Sequence, residues 1–214
     1  ITLAGYVFWW TWEVREAPLS LSIAAAVIAA VAANAAMYAL VYEPLRRRGA
    51  RGLGYLIATL ALLMLLTGIV MAIFGAQPRT FAFESRIFSV GEVHLTSVQL
   101  ILLTVSGALL ALFAAVVRWT RFGKAMRATA DNEQIAEVVG IPTGQIRLIA
   151  FMLSSVLAAA AGILIGVEFN LDPNMGILLA VKGFAAAVIG GVGSVSGALA
   201  GSVLIGLLEQ AVVW

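Results

Sequence analysis

The sequence predicts an all-α, polytopic transmembrane helix bundle, and three observations carry that prediction. Apolar runs long enough to cross a ~30 Å hydrocarbon layer recur along the chain. Of its residues, 62% are apolar and 11% charged, and the arginines cluster between the runs rather than within them. Soluble domains hold roughly 25% charged residues; at a mean hydropathy of +1.04, this chain has more apolar surface than a water-soluble core could enclose. The 21 glycines suit lipid-embedded helices, whose backbones approach closely where side chains are small. Residues 1–214 read as one transmembrane domain. With no cysteine and one histidine, the chain offers neither a disulfide framework nor a metal cluster. Its formal charge of +2 lies in short connectors beside apolar runs, which points to membrane orientation and away from nucleic acid.

The first apolar run, residues 1–12, is too short for a span and lacks the basic start of a secretory signal, so it reads as the remainder of a helix. Four longer runs follow at about residues 18–42, 53–76, 95–117 and 148–167. Each is long enough to cross at 1.5 Å per residue. The final apolar stretch is interrupted by Gly190-Gly-Val-Gly-Ser194, which weakens helix continuity. It reads as two pieces, 177–192 and 195–214, forming a broken or re-entrant helix near Lys182 to Ser194; the pattern fits either a span or a re-entrant segment for residues 177–189. Trp9, Trp10, Trp12 and Trp119 fall at the expected boundaries, where amphipathic rings anchor.

Of the 13 Lys and Arg, nine occupy two connectors: Arg46, Arg47, Arg48 and Arg51, then Arg118, Arg121, Lys124, Arg127 and Arg147. Two spans separate them, so both connectors lie on one side, and the positive-inside bias makes that side cytoplasmic. Residues 13–17, 77–94 and 168–176 then fall outside. There Glu13, Glu16, Glu84, Glu92, Glu168 and Asp172 balance or exceed Arg15, Arg79 and Arg86. His94 has no second ligand nearby in the sequence and reads as a solvated loop residue.

The connector 118–147 is too long and too patterned for a simple link. Asp131 followed by Gln134 reads as a helix N-cap with its reciprocal partner. Ile135, Val138 and Val139 supply an apolar stripe, Glu133 and Glu137 a wet face, and Gly140 with Pro142 a stop. Ala136 falls on the same side as Asn132. Such a short helix fits two roles: lying on the headgroups, or docking a soluble partner. In the C-terminal region Gly193, Gly197 and Gly201 recur every four residues, as do Gly162 and Gly166, and such stripes pack helices. Lys182 is an intramembrane charge and so a candidate for the substrate path, although a re-entrant segment would let it reach water. Phe184 beside it, and Asn34 alone among apolar neighbours, are the other candidates for that path. Asn34 equally suits a contact between helices.

Two long motifs carry a family resemblance. Arg121-Phe-Gly-Lys-Ala-Met-Arg-Ala-Thr-Ala-Asp-Asn132, with Ala136 and Gly140-Ile141, resembles the cytoplasmic loop of branched-chain amino-acid ABC permeases. Lys182-Gly-Phe-Ala-Ala-Ala-Val-Ile-Gly-Gly-Val-Gly-Ser194 is similar, nearly residue for residue, to a signature of the same family, with Pro173, Gly176 and Tyr42-Glu-Pro-Leu-Arg46 as further matches. The likeness runs in order from about Gly5 to Glu209 and is to the H-type subunit of the high-affinity Leu/Ile/Val importers. The family carries further helices before Gly5 and after Glu209, which this chain is expected to lack.

The resemblance implies a permease in the bacterial inner membrane that docks an ATP-binding subunit through Arg127, Asp131, Asn132, Ala136 and Gly140. A second permease subunit, identical or different, and a periplasmic substrate-binding protein complete the expected assembly. ATP and magnesium belong to the partner, since these 214 residues contain no Gly-x-x-x-x-Gly-Lys-(Ser/Thr) loop; no cofactor and no catalytic residue is assigned to this chain. Lys182-Gly-Phe184 looks like the amino-acid branch rather than the urea and amide branch. An ion-coupled secondary transporter is the rival of a different class, but the four clear spans hold no acidic residue for an ion relay, and Glu209 is its one candidate.

Overall fold

The computed structural model describes residues 1–50, 52–81, 87–90, 93–191 and 193–213, with the side chains of residues 87–95, 195 and 213 excepted. Arg51, Glu84, Arg86 and Glu92, which entered the charge count, lie outside the described residues, as does the side chain of His94.

Among the described residues, four helices are long and apolar enough to cross a membrane: Leu19–Arg47, Gly52–Phe74, Ser97–Trp119 and Thr143–Phe169. The first comprises α2 (Leu19–Met37), a π-helical turn (Tyr38–Tyr42) and α3 (Glu43–Arg47). It continues past the expected end at residue 42. Pro44 has no N–H for the carbonyl of Leu40, and the helix widens through this turn rather than stopping. The other three are α4 (Gly52–Phe74), α5 (Ser97–Trp119) and α8 (Thr143–Phe169). The third span was expected from residue 95. It begins at Ser97 because Thr96 caps it: its hydroxyl accepts from Gln99 N at 3.3 Å, and the Gln99 side chain accepts from Thr96 N at 3.2 Å. Before this cap, β1 (Ile87–Val90) pairs antiparallel with β2 (Val93–Thr96), Ser89 opposite His94, which is the exception to an otherwise helical chain among the described residues.

The run at residues 1–12 forms α1 (Thr2–Trp9), extended by a π-helical turn over Trp10–Val14. Ala4, Gly5, Tyr6 and Phe8 are buried, so the enclosed positions run around the helix. A short helix apolar on every side belongs inside a bundle, and α1 packs between α2, α4 and α8. Ala4 and Phe8 join Ala26, Ala30, Ala159 and Ile163 in one core; Tyr6 joins Val70 and Leu171 in another. Gly162 and Gly166 serve this seam: a methyl on Gly162 would strike the backbone of Ile1, and one on Gly166 the Leu171 side chain.

Two further helices, α6 (Arg121–Asp131) and α7 (Glu133–Val138), fill the connector before α8. α6 was not expected. Its N-cap is Thr120, whose hydroxyl accepts from Gly123 N at 3.0 Å, and a side chain at Gly123 would collide with the carbonyls of Val116 and Val117 at this corner. The expected cap at Asp131 is corrected by one residue. Asp131 ends α6 in helical conformation, whereas Asn132 is extended (φ −157°, ψ 106°) and its Oδ1 accepts from Ile135 N at 3.0 Å. A cap must lie outside the helix, and only Asn132 does.

The broken C-terminal stretch forms α9 (Met175–Gly190) and α10 (Val195–Val213). They fold against each other as an antiparallel hairpin, with Gly190 against Gly197 and Ala186 against Gly201. The expected stripe of Gly193, Gly197 and Gly201 is corrected here. Gly193 sits in the turn at φ +98°, with Gly191 at φ +90°, and a methyl there would meet open space. Gly190 takes its place in the packing seam. The positive φ values are what break the helix, since L side chains seldom adopt them.

Candidate functional site

The ends of the bundle confirm the parity read from the charges. At one end Arg46, in the last turn of α3, reaches Glu133 of α7 at 3.1 Å, so the two arginine-rich connectors meet. At the other, Arg79 and Leu171 exchange backbone hydrogen bonds (2.9 and 2.7 Å), joining the connector after α4 to the one after α8. The Arg79 guanidinium lies 4.9 Å from the Trp9 ring centre, and that of Arg15 lies 4.6 Å from Trp10. Trp12 stacks on Phe8, and Trp119 is exposed at the arginine-rich end.

At that end α7 is held by its acidic side. Glu133 is shared between Arg46 and Arg147, and the Thr143 hydroxyl donates to Glu137 at 2.6 Å. Glu43 in turn pairs with Arg46 (3.4 Å) and Arg47 (3.1 Å). The acidic residues expected on a wet face are thus turned toward the bundle, because cations from two connected spans converge there. Ala136 is 2% exposed, enclosed by its own chain rather than presented to a partner. The apolar residues face outward instead: Ile135, Val138 and Val139 are 62%, 87% and 68% exposed.

The other residues named for coupling have local duties. Arg127 donates to the Val117 carbonyl at the end of α5. Gly140, at φ +87°, ends α7, with its N–H on Glu137 O and that of Ile141 on Ala136 O. Asp131 is exposed at the close of α6.

Among the substrate-path candidates, Asn34 donates to the backbone carbonyl of Phe151 at 2.6 Å, joining α2 to α8 beside a cavity of about 150 Å³. Phe184 is 68% exposed on α9. Lys182 pairs with Glu209 of α10, Nζ to Oε1 at 2.7 Å. Sequence reasoning had both charges but did not join them. The fold-back at Gly191 to Ser194 was the available signal: it places Ala186 on Gly201, and Lys182, one turn from Ala186 on α9, meets Glu209, about two turns beyond Gly201 on α10. The Glu133 cluster had no comparable signal, since its partners are 87 and 14 residues away.

The chain is 29% identical over 197 residues to the high-affinity branched-chain amino acid transport system permease protein BraD of Pseudomonas aeruginosa, which covers 88% of this chain and 63% of that protein. It is 33% identical over 186 residues to the probable branched-chain amino acid transport permease protein LivH of Methanocaldococcus jannaschii, with 82% and 57% covered. A shorter match, 40% over 99 residues, is to the autoinducer 2 import system permease protein LsrC of Escherichia coli, covering 45% of this chain and 29% of that one. The chain therefore spans less than two thirds of these relatives' length. No solved structure matches it. The family described as branched-chain amino acid transport system, permease component, matches residues 1–214 in full, and this multi-pass membrane protein belongs to it.

Proposed function

We propose that the chain is the membrane-spanning subunit of an ATP-driven importer for branched-chain and other hydrophobic amino acids, in the bacterial inner membrane with its arginine-rich end in the cytoplasm. One observation carries the coupling part of this reading: a short helix, α7, tied by Glu133 to Arg46 and Arg147, presents three apolar side chains outward at that end. A helix anchored to two spans through charge-assisted bonds transmits force to both. Its outward face is the docking surface for an ATP-binding subunit, which supplies ATP and magnesium. A second permease subunit and a periplasmic binding protein complete the importer, and hydrolysis takes place off this chain.

The test is Val138→Asp in the full-length protein, which places a charge on the outward face without touching the Glu133 cluster. Proteoliposomes should lose ATP-dependent leucine uptake at least tenfold, and the ATP-binding subunit should no longer copurify. Retention of both by the variant would make α7 a helix lying on the headgroups. Leucine uptake that follows a proton or sodium gradient and ignores ATP would reject the importer itself.

A further inference from the structure

We infer that Lys182 and Glu209 form a two-charge recognition site for a zwitterionic α-amino acid, the substrate carboxylate on the lysine and its ammonium on the glutamate. This rests on the transport reading above and names the chemistry of its membrane site. Lys182 lies seven residues into α9, about 10 Å along the helix from Met175. Charges at that depth face a water-filled path or a bundle interior rather than lipid. Neither is enclosed by the chain: the side chains of Lys182 and Glu209 are 39% and 50% exposed. Both open onto a groove of about 670 Å³ whose apolar walls include Phe169, Ile205, Leu208 and Val212.

The fit to a zwitterion follows from charge. A ligand with one charge would pair with one member of the bridge and leave the other without its partner. An α-amino acid carries both charges on one carbon. Inserted into the bridge, it replaces one ion pair with two and adds no net charge. An aliphatic side chain then meets the apolar wall of Phe169, Ile205, Leu208 and Val212. The hairpin seam at Gly190, Gly197, Ala186 and Gly201 fixes the separation of the two helices from which the charges project.

The experiment uses the full-length permease with its partner subunits in proteoliposomes. The 214 residues have no cysteine, so Ile205→Cys puts a single thiol in the groove of this chain, and its modification is read by mass spectrometry. Leucine is expected to slow labelling at least fivefold, while isovalerate, which has only the carboxylate, and isoamylamine, which has only the ammonium, leave it unchanged at the same concentration. Lys182→Met and Glu209→Gln are each expected to reduce leucine uptake tenfold or more.

A thiol that is never labelled, labelling indifferent to leucine, equal protection by either single-charge analogue, or assembled Lys182→Met and Glu209→Gln complexes that import at the unsubstituted rate would each overturn the site. Protection conferred by subunit assembly alone would assign the groove to packing between subunits. If either variant fails to assemble, the labelling result decides. The complex without these substitutions serves as the control: failure of its own ATP-dependent leucine uptake sinks the transport reading, whereas uptake without thiol protection sinks only the two-charge site.

Discussion

The Asn34 amide and the Phe151 carbonyl, 117 residues apart, meet at 2.6 Å and tie α2 to α8. Hydrogen bonds between membrane helices contribute roughly 0.6–2 kcal/mol. Asn34→Ala should lower stability by about that amount, as read from unfolding in mixed micelles. Leucine uptake should stay within twofold; a tenfold loss of uptake with stability unchanged would instead put Asn34 on the substrate path.

The capping assignment separates two adjacent residues. Asn132→Ala removes the bond to Ile135 N and should cost about 1 kcal/mol of local helix stability, while Asp131→Ala, which bears no cap, should cost less than about half that. Amide hydrogen exchange across residues 133–138 reads both. Equal acceleration in the two variants would return the cap to a shared role.

In the C-terminal hairpin, Gly197→Ala directs a methyl into the Gly190 carbonyl, whereas Gly183→Ala meets open space. The first should destabilise by roughly 1–3 kcal/mol through overpacking. The second should be neutral or slightly stabilising, since alanine is the better helix former. Thermal unfolding of both proteins in one detergent makes the comparison, and identical melting would mean that the helices sit farther apart than described.

Single cysteines test the orientation. Arg48→Cys and Asn132→Cys should resist an impermeant thiol reagent in intact cells and react once the membrane is opened, whereas Asp172→Cys should react at once. The reverse pattern would invert the chain in the membrane.

Much of this fold could be read from the residues. The four long spans, the break near Gly191 and the grouping of both arginine connectors at one end follow from run length, glycine placement and parity, and those are local or countable properties. The central position of α1 was hidden because twelve apolar residues look like a remnant when length is the criterion; what places them is their packing on Gly162 and Leu171, set by residues far along the chain. The face of α7 was inverted for a related reason. Periodicity separates Ile135, Val138 and Val139 from Glu133 and Glu137, but it does not say which set meets the bundle. Arg46 and Arg147 decide that, and neither is part of the pattern.

α8 runs for 27 residues from Thr143, beside the α7 anchor, to Phe169, two residues before Leu171 and its backbone pairing with Arg79. As a straight rod it is about 40 Å long, more than the hydrocarbon thickness. A rocking of ~5° about its midpoint would displace its two ends by roughly 2 Å in opposite directions. A displacement imposed at the arginine-rich end would therefore reach the far connector with its sense reversed.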